Sequence, residues 1–314
     1  PVNKMKPVIR NILEMSVYQL KYMQNVPASA VCNEAVKLTA KKKFVNLKAF
    51  VNGVLRNISR NIESIQYPDK SNIKQYLSIK YSFPEWIISM WSKKYTYEDI
   101  ELILKGFDEN KKTYIRCNTK LTTKEKLKES LEKQGITVNA VKGIDYAFEI
   151  EGYNYISDID AFNDGLFQVQ DISSMLAGEA ACLKGDEYVI DVCASPGGKT
   201  INAALKLDTG SVSSRDVSDY KVSLIEDNLD RLQIDNVTVK VQDASIDDNV
   251  SNGKADVVIA DVPCSGLGII GRKPDIKYNS NIDKIKELVQ LQRKILGVVQ
   301  NYVKPQGYLI YSTC

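Results

Sequence analysis

The 314-residue chain contains no histidine. That absence removes the Ser-His-Asp triad, the Cys-His pair and every His-ligated metal site. Chemistry must rest on Cys, Asp, Glu, Lys or Tyr. Long apolar runs are also missing: nowhere do the roughly 18 consecutive apolar residues of a membrane-spanning helix occur, and no signal peptide is read. Cysteine is sparse. The six, Cys32, Cys117, Cys182, Cys193, Cys264 and Cys314, form no CxxC pair and no dense spacing. Neither a zinc site nor a disulfide framework is expected, and reduced thiols in a cytoplasmic protein are. No metal and no membrane partner are expected, and repeats and low-complexity tracts are lacking.

What is present suits packed domains. Hydrophobic residues make up 44% and charged residues 26%, over a length that predicts two or three domains. The charge is unevenly placed. Residues 1–60 carry eleven Lys and Arg against Glu14 and Glu34, a surplus of nine, so a net charge of +3 leaves the remainder at −6. A basic front module on a mildly acidic body fits a polyanion, since neutralised phosphates release counterions. A solvated, lysine-rich helix face has the same composition, and charge alone does not separate the two readings.

Periodicity divides the chain into three. Val8, Ile12, Met15, Leu20 and Met23, then Phe50, Val51, Val54, Leu55 and Ile58, recur at helical intervals, so residues 1–70 read as a helical domain. "SIQYPDKSN" is the linker. Residues 71–162 read as linker helices, with Pro84 in a first turn and Thr96 as a cap, followed by a small α+β module: strands at "TYIRCNT", "GITVNAV" and "AFEIEGY" and a charged helix over 122–134. Tyr18, Tyr22, Trp86 and Trp91 are available for base stacking, but their spacing favours core packing. Residues 163–314 alternate helix and strand, with strands at "YVIDVCA", "SVSSRDV", "VTVKVQDA", "ADVVIADV" and "GYLIYST". Such alternation predicts a parallel, doubly wound sheet, with ligands at the strands' carboxyl ends.

The first of those ends reads "VIDVCASPGGKT". A strand closing in Asp191 and running into a Pro-Gly-Gly turn brings backbone close to a nucleotide-like ligand. A Walker loop would need glycine where Cys193 stands, and GxGxxG is absent. The next strand ends in Asp216, placed for both hydroxyls of a ribose, and the third in Asp243, placed for an adenine amino group. One acid after a strand is usually a turn residue; three successive strand ends point to a nucleoside. The fourth strand delivers Asp261 and Cys264 in "DVPCSGLG", the fifth Cys314 in "YSTC". Neighbouring parallel strands lie about 5 Å apart, so the two thiols are expected over one ligand. Cys32, Cys117, Cys182 and Cys193 are assigned to packing, as free cysteine is usually a small buried hydrophobe.

"CASPGGKT", "DVPCSGLG" and "YSTC", in that order, resemble the motifs of RNA cytosine-5 methyltransferases, and the front, with "FVNGVLRNI", is similar to the NusB-like domain of the bacterial RsmB or Sun family. "FQVQDISSMLAG" and "RKPDIKY" also resemble stretches of that family. The resemblance covers essentially the whole chain. It implies an all-α NusB-like domain, a small α+β RNA-binding domain and a Rossmann-like class I methyltransferase domain. It further implies S-adenosylmethionine as cofactor and 16S ribosomal RNA as partner, with cytosine 967 as target, acted on by a monomer. Residue by residue, it assigns cofactor contacts to Cys193, Ala194, Ser195, Pro196, Gly197, Gly198 and Lys199 and to Asp216, Asp243 and Asp261. Cys314 matches the nucleophile and Cys264 the cysteine that assists product release. Lys199 and Asp261 stand near the target base, and Arg272 and Arg116 contact RNA. Two alternatives are a DNA cytosine-5 methyltransferase with Cys264 as nucleophile and a non-catalytic RNA-binding protein. Family members have further helices at the front and continue beyond "YSTC", so a fragment of weak or no turnover, ending on an exposed edge strand, is expected.

Overall fold

Helical spacing in the first 60 residues places apolar side chains on one face of each helix, and burying those faces against one another defines the first unit. The computed structural model describes residues 2–66, 68–109 and 112–313. It divides into two units, Pro1–Ser82 and Phe83–Cys314. In the first, α1 (Pro7–Tyr22), α2 (Ala28–Lys41), α3 (Lys48–Asn61) and α4 (Ile73–Lys80) follow in order. Pro7 opens α1 where its missing N–H costs nothing. Ile9, Ile12 and Leu13 pack with Cys32 and Ala35 and with Val51 and Leu55. The unit extends beyond the boundary expected at residue 70, because α4 joins it. Tyr18 and Tyr22, expected in the core, are 59% and 61% exposed, with ring centroids 5.1 Å apart.

The second unit begins with α5 (Glu85–Trp91) and α6 (Tyr97–Asp108). Thr96 caps α6 in a reciprocal box: Asp99 N donates to Thr96 Oγ1 at 3.2 Å and Thr96 N to Asp99 Oδ2 at 3.2 Å. Trp91 packs with Phe83 and Phe107. Next come β1 (Thr113–Cys117), α7 (Lys124–Lys133), β2 (Thr137–Ala140), β3 (Ala147–Glu151), α8 (Asp160–Asn163) and β4 (Phe167–Val169). The strands form an antiparallel sheet in the order β2-β3-β1-β4. β4, not anticipated as a strand, pairs with β1 through Ile115↔Val169, so this sheet continues past the boundary expected at 162.

The remaining elements are α9 (Ile172–Glu179), β5 (Tyr188–Asp191), α10 (Gly198–Ala204), β6 (Ser211–Asp216), α11 (Asp219–Leu232), β7 (Val237–Val241), β8 (Ala255–Asp261), α12 (Ile276–Asn279), α13 (Ile282–Val299) and β9 (Val303–Ser312). All five strands are parallel, in the order β7-β6-β5-β8-β9. Alternation puts Val189, Val212, Val257 and Ile259 on one face against Ile201, Ile225 and Leu229. Ile190, Val258 and Ala260 lie on the other, against Ile295 and Val299 of α13. Strand order reverses between β5 and β8, and a crevice opens at that switch point, beyond the strands' carboxyl ends.

The small sheet is fastened to the large one. Asn118, one residue past β1, is buried and donates through Nδ2 to the carbonyls of Gly165 (3.0 Å) and Leu232 (2.8 Å). Arg231 donates to the carbonyls of Phe162 and Phe167 at 2.9 and 3.2 Å and lies 4.0 Å over the Phe162 ring.

Candidate active site

The first strand end builds the floor of the site. After β5 the chain turns through a cis Ser195–Pro196 peptide, and Gly197 takes φ +100°, a left-handed conformation that costs glycine little. A Cβ there would also press on Ile201 and Ile225 at 3.4 and 3.5 Å. Asp191 is fully buried beneath the turn. Its Oδ2 accepts from Thr200 Oγ1 at 2.8 Å, its Oδ1 has no hydrogen-bond partner, and burial pushes its carboxyl up to about 7.

The second and third strand ends supply carboxylates. Asp216, 3% exposed, accepts Ser195 N on Oδ2 at 2.9 Å and Val217 N on Oδ1 at 2.7 Å, with Lys221 Nζ 3.0 Å from Oδ1. Asp243 accepts Ser245 N at 2.8 Å. The backbone and side-chain hydrogen bonds of Ser245 hold its carboxyl below the usual range.

Asp261, at the end of β8, joins three elements. Lys199 Nζ donates to Oδ2 at 2.6 Å and Ser312 Oγ, at the end of β9, donates to Oδ1 at 2.8 Å. A carboxylate has about four lone-pair sites, so two remain for a ligand. The next turn carries Cys264, which is disulfide-bonded and not the reduced thiol expected from sequence, and the Pro263 carbonyl accepts Gln292 Nε2 of α13 at 2.8 Å.

A cavity of about 350 Å3 gathers Cys193, Ser195, Asp216, Asp243, Asp261 and Cys264. That volume lies in the range of small-molecule clefts. Its residues fit a nucleoside-bearing cofactor: two carboxylates stand at successive strand ends, the turn after β5 enters through Cys193 and Ser195, and apolar Leu291 and Ile295 line a wall. Ala194, Pro196, Gly197, Gly198 and Lys199, expected to contact the cofactor, are not among its lining residues; Lys199 reaches it through Asp261. Among the described residues no group of three or more His, Cys, Asp or Glu is placed to hold a metal, and no helix is long and apolar enough to cross a membrane.

Several expected residues are placed differently. Arg116, assigned to RNA contact, is 2% exposed and buried between elements, with none of its three guanidinium nitrogens hydrogen-bonded; it offers no surface to RNA. Arg272 is exposed but occupied, with Nη2 2.5 Å from Asp171 Oδ1 and 3.1 Å from the Lys112 carbonyl. It lines a different cleft from the three acids, with Tyr114 and Ser173. Cys182, assigned to packing, is exposed. Cys32 and Cys117 are buried, and Cys193 is half-buried, its thiol pushed up to about 12 by burial and then by the carboxylates of Asp191 and Asp216. Cys314 lies outside the described residues.

Sequence reasoning passed over Lys221, Gln242, Leu291 and Ile295 in the cavity wall, and Gln170, Ser174 and Ser312 around Lys199 and Asp261. Leu291 and Ile295 carry an i, i+4 signal, which reads equally well as core. Gln170 and Ser174 lie in "FQVQDISSM", a stretch noted above for its resemblance and given no role.

A parallel sheet in this order, with acids closing successive strands around a cofactor cleft, defines a Rossmann-like methyltransferase, here preceded by a small antiparallel domain and a helical one. Residues 180–314 match the family described as 16S rRNA methyltransferase RsmB/F, residues 83–156 its ferredoxin-like domain, and residues 1–60 the NusB family. The probable ribosomal RNA small subunit methyltransferase B of Bacillus subtilis (strain 168) is 34% identical over 317 residues, covering 99% of this chain and 70% of that protein. The crystal structure of PH0851 superposes with a TM-score of 0.85 at 26% identity, over 100% of this chain and 70% of that one. A methyltransferase homolog protein from Pyrococcus horikoshii gives 0.65 at 26% identity, over 76% of this chain and 75% of its own. The chain belongs to the RsmB/F family of ribosomal RNA small subunit methyltransferases.

Proposed function

We propose that this ribosomal RNA methyltransferase modifies C5 of a cytosine in 16S ribosomal RNA, at the position numbered 967, through a covalent adduct between a cysteine thiol and C6. The observation that carries the reading is Asp261, held between Lys199 and Ser312 beside Cys264 at the mouth of the cofactor cavity. Its two uncommitted lone-pair positions are acceptors, which suit the N4 amino group of cytosine and repel the O4 of uracil. The cofactor is S-adenosylmethionine, which when bound supplies an electrophilic methyl group. Asp216 takes its ribose hydroxyls, Asp243 its adenine amino group, and the turn from Cys193 to Lys199 passes beneath it.

C5 of cytosine is too weak a carbon nucleophile to accept a methyl group directly. In this reading the Cys314 thiolate adds to C6 and pushes electron density to C5, which takes the methyl. The C5 proton then leaves and the C6–S bond breaks, with Cys264, once its disulfide is reduced, assisting release. Lys199 is the cation near the reacting groups, and it shares its charge with Asp261 rather than standing alone. The base must leave its stack to be reached, so a loop or a flipped nucleotide is the substrate. Arg272 holds RNA once a phosphate displaces Asp171, and the enzyme acts as a cytoplasmic monomer.

The test is covalent trapping on RNA carrying 5-fluorocytidine, with S-adenosylmethionine present. Cys314→Ala is expected to abolish the denaturant-resistant adduct, and Cys264→Ala to retain it. The opposite pattern transfers the nucleophile to Cys264 and overturns the assignment. Absence of any adduct, with no S-adenosylmethionine binding by calorimetry, favours an RNA-binding protein without activity.

A further inference from the structure

We infer that Gln170 and Ser174 are positioning residues for the methyl transfer, acting through Lys199. The inference rests on the cytosine methyltransferase reading above and deepens it. Lys199 is only 12% exposed in its side chain, and its ammonium has three N–H donors. One goes to Asp261 Oδ2 at 2.6 Å and one to Ser174 Oγ at 3.1 Å. A lysine on a flexible four-carbon stem needs two acceptors at an angle to be held in one place; a single carboxylate lets it swing.

The second acceptor is itself oriented. Gln170 Nε2 donates to Ser174 Oγ at 3.2 Å and to the Gly198 carbonyl at 3.2 Å. A carbonyl only accepts, so the amide nitrogen must face this side. With Gln170 and Lys199 both donating to it, the Ser174 hydroxyl turns both its lone pairs towards them. The run continues from Asp261 to Ser312 Oγ at 2.8 Å. Residues from the β4–α9 segment thereby fix a side chain of α10 against the ends of β8 and β9. Gln170 is 7% exposed and leaves Oε1 buried without a partner, an unfavourable arrangement that is accounted for by what its other end holds. Gly198 follows the left-handed Gly197 in the cofactor turn, so the same amide also braces that turn.

The experiment measures single-turnover methylation of a 16S ribosomal RNA fragment by the full chain, S-adenosylmethionine affinity by calorimetry, and Tm. Ser174→Ala is expected to lower the rate by about tenfold to a hundredfold, the scale of a small misplacement at a reacting centre. Cofactor Kd, RNA KM and Tm are expected to stay close to wild type, and Ser174→Thr, which keeps an Oγ, to recover most of the rate. Gln170→Ala is expected to lower the rate similarly and to weaken cofactor binding severalfold, because the Gly198 carbonyl also loses its donor. An unchanged rate in Ser174→Ala, no recovery in Ser174→Thr, or a rate loss that tracks Tm overturns the inference. If the wild-type chain forms no 5-methylcytosine, it is the parent reading that fails; if it does and Ser174→Ala is silent, only the positioning role fails.

Discussion

Asp191 is a carboxyl withdrawn from water. It is fully buried, with one carboxylate oxygen served by Thr200 and the other unserved. Burial, reinforced by Asp261 and opposed by Thr200 and Lys199, raises it from 3.8 to about 7. A carboxyl that holds its proton more tightly in the fold contributes stability fully below about pH 4, and that stability is lost as pH rises towards 7. Asp191→Asn keeps an acceptor for Thr200 and cannot ionise. Thermal unfolding at pH 5 and pH 8 is therefore expected to show a smaller fall in Tm for the variant than for the wild type. Equal falls would mean that Asp191 titrates as an exposed carboxylate does.

At the scale of elements, the joint between the small sheet and the Rossmann-like domain decides where the Gln170–Ser174 segment lies. β4 is three residues long, yet it pairs with β1 and leads directly into α9. The turn before it packs on the end of α11 through Gly165, at φ +72°, where a Cβ would stand 2.0 Å from the Arg231 carbonyl oxygen. Backbone cannot yield as a flexible side chain would, and the left-handed conformation adds strain. Gly165→Ala is expected to destabilise the protein by about 2–4 kcal/mol, read as a lower urea midpoint with an unchanged m-value. A midpoint within error of wild type would show that α11 and the turn separate easily. Asn118, bonded to the Gly165 and Leu232 carbonyls, ties the same joint from the β1 side.

For the whole molecule, the asymmetry of charge is the leading feature. The first unit carries the basic surplus, and Lys41, Lys42 and Lys43 at the end of α2 are all exposed, as phosphate contact requires. Replacing the three by Ala is expected to weaken ribosomal RNA binding and to lower the slope of log K against log salt by about 2, measured by filter binding across a salt series. An unaltered slope would leave these lysines as a solvated face, the other reading their composition allowed. Tyr18 and Tyr22, exposed on α1, add aromatic surface to this unit that helical spacing alone had assigned to the core.

Sequence by itself determined the order of elements and the chemistry available. Missing histidine removed whole mechanisms, alternation of strand and helix dictated a parallel sheet, and acids closing successive strands marked the cleft, because such patterns repeat over distances shorter than one element. Only tertiary structure decided which polar groups meet. Arg116 looks like a surface cation in "TYIRCNT" and is buried, since the face of β1 opposite α7 packs on α9, far along the chain, through Tyr114 and Met175. Gln170 and Ser174 lie in a stretch to which sequence gave no role and bear on Lys199, because β4 joins β1 and leads into α9 beside the cofactor turn. Hydrogen bonds act over about 3 Å, and residues 62 apart, as Lys199 and Asp261 are, come within that reach only once the sheet has been assembled.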